Sequence, residues 1–210
     1  TALPIISSAL IIGGSIMAII RENGLNLWRD NDMNKTVTTD KKNIKERLIF
    51  GMSIAYLLFL VWAILWKCGT PFIGDGALRA INLLPFNGNT RWEMQFNLAI
   101  FVPFGFFLSA IKPKWTKIWL ILTTLLASFA LEIVQYILAI GRSDVTDLFL
   151  NTLGGVVGIG AFYALKGLLG RRERKATLVI CILLTLLELY MTVSFIFVGQ
   201  LYIGFMMIKL

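Results

Sequence analysis

The sequence predicts an all-α fold, a polytopic bundle of about six transmembrane helices with a long outer loop between the second and third spans. Of its 210 residues, 57% are hydrophobic and only 15% are charged, whereas about 25% are charged in soluble domains. Apolar runs of about 18 or more residues are long enough to cross a bilayer. The candidate spans are 1–20, 48–66, 96–111, 118–140, 148–165 and 177–195, and the third is the weakest, with 16 residues and Pro103 in its middle.

The first and last apolar runs each need an interpretation. The first is a span rather than a signal peptide, because it lacks a basic start and is followed by charges instead of a cleavage site. The last continues to residue 208, so we expect it to tilt or to end in an interfacial tail. These boundaries divide the chain into a first span with a basic loop (1–47), a membrane core (48–170) and a C-terminal span with a tail (171–210).

Basic residues predict the orientation. The loops at 21–47, 112–117 and 166–175 hold 15 of the 20 Lys and Arg residues. Because Lys and Arg are enriched in cytoplasmic loops, these three loops should face the cytoplasm and both termini the outside. The net charge of +8 is then explained by orientation, and we expect no nucleic-acid partner.

The polar segment 141–151 interrupts two apolar runs and is preceded by Glu132 and Gln135. These two side chains are three residues apart and share a helix face. Ionisable groups at membrane depth are rare and usually functional. In the predicted topology the segment is an external turn between antiparallel helices, and the outer loop at 67–95 reaches the same side.

This shared side predicts an outward-facing site. The candidate ligand-binding residues are Asn82, Arg91, Asn97, Gln135, Arg142 and Asn151. The candidate catalytic residues are Glu132, Asp144 and Asp147, which could hold a divalent cation or act as acid and base. Arg142 could hold a phosphate or carboxylate by a bidentate contact. The sequence assigns no metal ion, and it implies no cofactor beyond that possible cation.

Several of these polar residues also have a purely structural explanation. Asp144 and Asp147 fit a helix N-cap followed by an acidic first turn. Glu132 could form a buried ion pair with Arg142 if the arginine folds back from the turn. Glu188, in the last span, is either a second polar point or a lipid-facing outlier, and the sequence leaves both open.

Two residue pairs concern packing and covalent chemistry. Gly154 and Gly158 form a small-xxx-small motif, which predicts close approach of a neighbouring helix. Cys68 and Cys181 fall near opposite membrane faces, too far apart for a disulfide. The chain has no histidine, which excludes Ser-His-Asp hydrolysis and histidine-ligated zinc.

Four segments in order, NLLPFN, NLAIFVPFGFFL, LEIVQYI and GRSDVTDLFLNTLGGVVG, resemble the VanZ-like membrane family across about 81–164. The family pattern falls on Asn82, Pro85, Phe86, Asn97, Pro103, Gly105, Glu132, Gln135, Gly141, Arg142, Asp144, Asp147, Asn151, Gly154 and Gly155. The resemblance implies a protein of the bacterial cell membrane associated with resistance to teicoplanin, a lipid-bearing glycopeptide.

Three functions fit these features. The chain could bind a membrane lipid, a lipid-linked wall precursor or a lipoglycopeptide antibiotic and lower drug access. It could instead be an enzyme that modifies a headgroup, or a small transporter. A closed polar network favours binding or structure, a carboxylate-lined outward pocket favours chemistry, and a path to both faces favours transport. The sequence does not decide whether the chain is an enzyme, nor its oligomeric state.

Overall fold

The computed structural model describes residues 43–66, 73–74, 80–88, 90–198, 200–203 and 206–209. The first predicted span, at 1–20, and Cys68 lie outside the described residues. Contacts divide the chain into two compact units, Thr1–Glu46 and Arg47–Leu210. The described part of the first unit is the helical segment 43–46. The remaining described residues belong to the second unit.

Five long helices occupy the described residues, and each is long and apolar enough to cross a membrane. They are α1 (Asn43–Trp66), α2 (Arg91–Ile111), α3 (Lys117–Leu138), α4 (Val145–Leu169) and α5 (Glu173–Val198). A 3₁₀ turn (Gly170–Arg172) joins α4 to α5. The chain is therefore a helical, multi-pass membrane protein. The described residues supply five of the six predicted spans, so the number six is not confirmed.

Helix α2 begins earlier than the sequence analysis placed it. Thr90 caps the helix, accepting a hydrogen bond from the Glu93 backbone at 3.2 Å, while the Glu93 carboxylate accepts one from the Thr90 backbone at 3.0 Å. This reciprocal capping box satisfies two backbone donors at the helix start. The expectation that 91–95 belongs to the outer loop was therefore wrong: Arg91 opens the helix, and the loop is shorter than predicted.

Two short strand pairs accompany the helices. Strand β1 (Ala80–Asn82) pairs in parallel with β2 (Arg142–Asp144), with Asn82 opposite Asp144. After α5, strands β3 (Gln200–Ile203) and β4 (Met206–Lys209) pair antiparallel. The last apolar run is thus a helix followed by strands rather than one long tilted helix.

Glycines bring α2 and α4 into close contact. A Cβ added at Gly154 would overlap the carbonyl group of Leu98, and one at Gly158 would overlap that of Val102. Only glycine lets the two backbones approach so closely, because any larger residue would hold them apart. The small-xxx-small prediction is confirmed, and α2 is the neighbouring helix.

Aromatic contacts and one buried hydrogen bond join the remaining helices. The Tyr56 hydroxyl donates to the Ile100 carbonyl at 2.6 Å, linking α1 to α2. Trp62 of α1 meets Phe195 of α5 edge to face, with ring centroids 6.1 Å apart. Cys181 is buried and free.

Large apolar side chains also cover the outside of the bundle. Leu58, Ile118 and Leu168 are 67%, 69% and 84% exposed. Soluble monomers rarely expose extended apolar surface, so this surface is suited to lipid.

Candidate functional site

The turn between α3 and α4 positions the predicted polar residues. Helix α3 ends at Leu138, and its C-cap residue, Ala139, adopts the left-handed conformation (φ 55°). The chain then extends through β2 and enters α4 at Asp144, whose Oδ1 accepts a hydrogen bond from the Thr146 backbone at 2.8 Å. Asp144 is therefore the N-cap of α4, and Asp147 lies in the first turn, as the structural reading predicted.

Glu132 connects the end of α3 to this cap. The side chain is buried, and its Oε2 accepts a hydrogen bond from the Asp144 backbone N–H at 3.0 Å. The Glu132 carbonyl accepts a second hydrogen bond, from the Ser143 hydroxyl at 2.9 Å. An acidic side chain near the end of a membrane helix thus orders the turn that follows it.

The predicted ion pair between Glu132 and Arg142 is wrong. Arg142 pairs instead with Asp144, with 3.0 Å between Nη2 and Oδ2. The physical reason is the extended backbone of β2, in which residues two apart project to the same side of the strand. Arg142 reaches Asp144 there without folding back along α3.

Asp144 is the centre of the network. Its Oδ2 accepts hydrogen bonds from Asn82 Nδ2 at 2.8 Å and from Arg142 Nη2 at 3.0 Å, while Oδ1 caps α4. The side chain is only 2% exposed. Both carboxylate oxygens are therefore engaged, and the buried charge is balanced by the guanidinium.

The segment 80–88 forms the other wall of the site. Asn82 also donates to the Asn87 carbonyl at 3.0 Å and accepts from the Leu84 backbone at 3.2 Å. The Phe86 backbone donates to the hydroxyl of the buried Thr146 at 2.9 Å. These contacts fasten a loop to the start of α4, although the two are separated by about sixty residues of sequence.

Gly88 lies against the guanidinium of Arg142. Its φ of +79° is in the left-handed region, where only glycine is readily accommodated. A Cβ at this position would be 3.2 Å from Arg142 Nη1. The loop therefore limits where the guanidinium can lie, while the side chain of Arg142 remains 41% exposed.

Gln135 and Asn151, two of the candidate ligand-binding residues, are buried and cross-link helices. Gln135 Nε2 donates to the Ile64 carbonyl at 2.9 Å, joining α3 to α1. Asn151 Nδ2 donates to the Ser128 hydroxyl at 3.0 Å, joining α4 to α3. Within the described residues, Gln135 Oε1 and Asn151 Oδ1 are buried and have no hydrogen-bond partner.

The remaining predicted residues lie at the edge of the network. Asp147 is half-buried in the first turn of α4. Arg91 is exposed at the start of α2 and lines a shallow groove of about 440 Å³. Asn97 is half-buried in α2, and no hydrogen bond among the described residues joins its side chain to Asp144.

The three candidate catalytic carboxylates do not form a ready cation site. Across the described residues, no group of three or more His, Cys, Asp or Glu side chains is arranged to hold a metal ion. Glu132 and Asp144 use their oxygens to hold the turn and the loop. The arrangement is a closed polar network with one exposed cation, Arg142.

Sequence reasoning missed three contributors to this network: Ser143, Thr146 and Gly88. Thr146 follows the predicted N-cap, and threonine side chains commonly form hydrogen bonds with the backbone at such positions. Its role as an acceptor, however, depends on a loop that is distant in sequence. The Asn-Gly pair at 87–88 is a turn signal that could have identified Gly88. The β1–β2 pairing has no local signal.

Comparison with known proteins identifies the family. The family model described as VanZ/LLP1 matches residues 53–167, more than half of the chain. The chain belongs to the VanZ/LLP1 family. Protein VanZ of Enterococcus faecium is 36% identical over 119 residues, which cover 52% of this chain and 70% of that protein. No solved structure matches. The family-model match confirms the resemblance seen in the sequence, and its range includes every predicted site residue.

Proposed function

We propose that this VanZ/LLP1 protein of the bacterial cell envelope lowers susceptibility to lipoglycopeptide antibiotics such as teicoplanin. In this proposal it binds a lipidated or lipid-linked molecule at the Asp144 network, which faces outside. The ligand is the anionic headgroup of a membrane lipid or wall precursor, or a carboxylate of the antibiotic itself.

The observation that carries the proposal is that Arg142 is held in place by an ion pair and is also partly exposed. Asp144, held in place by Asn82 and the α4 backbone, fixes the guanidinium through Nη2. The side chain is 41% exposed, so other guanidinium N–H groups can reach a ligand. An arginine that is already oriented binds phosphate or carboxylate through paired hydrogen bonds with little loss of conformational freedom.

The closed network favours binding over the alternative of headgroup modification. A general base must reach the proton that it removes, whereas Glu132 and Asp144 are buried and engaged in hydrogen bonds. Asp147 is the most accessible of the three carboxylates and would carry any catalytic role.

The outward orientation rests on the distribution of charge. The Asp144 network lies at the end of the helices opposite the basic loops 112–117 and 166–175. Because basic loops favour the cytoplasmic side, the network should face the compartment from which glycopeptides arrive.

Expression in a teicoplanin-susceptible Gram-positive host tests the proposal. We expect the wild-type chain to raise the minimal inhibitory concentration of teicoplanin, but not that of a glycopeptide without a lipid chain. Arg142→Gln should abolish the protection at unchanged membrane abundance, and Arg142→Lys should restore little, since lysine lacks the planar fork. The matched control is Arg172→Gln, an exposed arginine at the opposite end of α4.

Full protection by Arg142→Gln would contradict a ligand-binding role for this arginine. Equal loss of protection in Arg172→Gln would show that charge in general, rather than this site, is responsible. If no variant, including the wild type, protects the host, the antibiotic-related function itself is wrong.

A further inference from the structure

A second candidate site lies between α1, α2 and α5, on residues that the proposed function does not use. It is a cavity of about 330 Å³, a size within the range of about 300–1,000 Å³ for small-molecule sites. Its apolar wall includes Phe59, Phe96, Ile100, Leu184, Leu187 and Met191. Such sites typically combine an apolar lining with a few polar groups that orient the ligand.

Glu188 supplies the carboxylate of this cavity, and the amide residue Gln95 also lines it. Glu188 lines the cavity from the same face of α5 as Leu184 and Met191, three to four residues away on either side. Its Oε2 is buried and has no hydrogen-bond partner among the described residues. The nearby Tyr56 hydroxyl donates to the Ile100 carbonyl. Glu188 therefore faces a cavity, which fits the second polar point rather than the lipid-facing outlier.

An unpartnered carboxylate in apolar surroundings is costly unless a donor or a cation accompanies it. The described residues that line the cavity include no lysine or arginine. Among the described residues the cavity thus combines an apolar wall with an acid that lacks a partner, and an alkyl chain that ends in an amine suits both.

We propose that this cavity binds a cationic amphiphile, with its alkyl chain against the aromatic and aliphatic wall and its ammonium group on Glu188. The lining residues of α2 run from Trp92, near the start of that helix, to Pro103, just past its middle. The cavity therefore extends from the end of α2 that is nearer the Asp144 network toward the centre of the bundle. This site is separate from Arg142, so the two proposals can fail independently.

Native mass spectrometry of the full chain released from detergent micelles tests the proposal, with dodecylamine as the probe and dodecanol as its uncharged counterpart. We expect saturable binding of one dodecylamine and at least about tenfold weaker binding of dodecanol, as for the loss of a charge-assisted hydrogen bond. Glu188→Gln should weaken the binding of dodecylamine by a similar factor. Its control is Glu173→Gln, at the start of the same helix and outside the cavity.

A second variant tests the cavity without touching the charge. Ala99 lines the cavity, so Ala99→Phe should fill part of it and abolish binding of both probes. Ala161→Phe, which adds the same group to an exposed position of α4, should bind like the wild type. Unchanged dodecylamine binding in both Glu188→Gln and Ala99→Phe would overturn the proposal in favour of nonspecific coating by amphiphile. Equal binding of dodecanol and dodecylamine to the wild type would overturn the assignment of an amine.

Discussion

Glu132 accepts the backbone N–H of Asp144 at 3.0 Å, so an acidic side chain of one membrane helix holds the residue that caps the next. Asp144 in turn fixes Arg142 through its carboxylate. The position of the exposed guanidinium thus depends on two buried acids that need not touch a ligand themselves. Substitutions at these acids should change stability and function to different extents, depending on which hydrogen bonds the new residue can keep.

The first prediction compares two substitutions of Glu132. Glutamine can still accept the Asp144 N–H, so Glu132→Gln should unfold with a free energy within about 1 kcal/mol of the wild type. Glu132→Ala leaves that buried N–H without an acceptor and should cost about 1–3 kcal/mol. Denaturant titration of the purified chain in detergent micelles measures both.

Glu173→Ala is the control for this comparison, because Glu173 lies in the first turn of α5 and is remote in sequence from the turn between α3 and α4. Its loss should cost less than about 1 kcal/mol, the scale of a helix-dipole interaction. Equal stabilities of Glu132→Gln and Glu132→Ala would show that the hydrogen bond to Asp144 contributes nothing.

The second prediction concerns the pairing of Arg142. In Asp144→Asn, Oδ1 can still cap α4, but an amide NH₂ replaces Oδ2 and meets the donors of Asn82 and Arg142. We therefore expect Asp144→Asn to lose about 1–3 kcal/mol of stability. A double-mutant cycle of Asp144→Asn with Arg142→Gln should give a coupling of about 0.5–3 kcal/mol.

The corresponding cycle of Glu132→Gln with Arg142→Gln should give a smaller coupling, because glutamine keeps the hydrogen bond to Asp144 through which Glu132 and Arg142 are connected. Denaturant titration of the wild type and of each single and double variant measures the free energies of unfolding that both cycles need. A larger coupling for Glu132 than for Asp144 would restore the Glu132–Arg142 ion pair that the sequence left possible.

The third prediction tests the contact between α2 and α4. Gly158→Ala places a methyl group against the backbone of Val102 and should destabilise the chain by about 1–3 kcal/mol through overpacking. Gly160, two residues further on, has open space around its Cβ position. Gly160→Ala should therefore be neutral or stabilising by up to about 1 kcal/mol, since alanine favours the helix. Melting temperatures in detergent compare the two, and similar losses in both would mean that helix propensity, not contact with α2, controls the effect.

Local and periodic signals predicted part of this structure. The cap at Asp144 and the acidic Asp147 follow from residue types at a helix start. The Gly154–Gly158 motif predicted close packing because its spacing places both glycines on one helix face. The start of α2 also has a local signal, because Thr90 and Glu93 match the capping-box pattern, whereas the apolar run begins only at residue 96.

The long-range contacts of the site could not be predicted from the sequence. Asn82 and Asp144 are separated by 62 residues, and neither carries a local sign of the other. The partner of Arg142 depended on β2 being extended, which places Arg142 and Asp144 on one side of the strand. A helical continuation of the turn would have directed the arginine elsewhere, so residue spacing alone could not distinguish Asp144 from Glu132.

The last prediction concerns the orientation on which the antibiotic-related function depends. In a background with Cys68 and Cys181 replaced by serine, Asn87→Cys lies on the exposed loop of the Asp144 network and Arg172→Cys on the exposed turn after α4. Helix α4 has 25 residues, enough at about 1.5 Å per residue to cross a hydrocarbon core of about 30 Å. The two cysteines should therefore lie on opposite sides of the membrane.

A membrane-impermeant maleimide should label Asn87→Cys in intact cells and Arg172→Cys only after permeabilisation, because the basic loop around Arg172 favours the cytoplasm. Labelling of both after permeabilisation confirms that each cysteine is reachable, and retained teicoplanin protection confirms that each variant is folded. The reverse pattern in intact cells would place Arg142 in the cytoplasm. An arginine there could not meet a lipoglycopeptide outside the cell, and any protective effect would then have to act through a precursor on the inner leaflet.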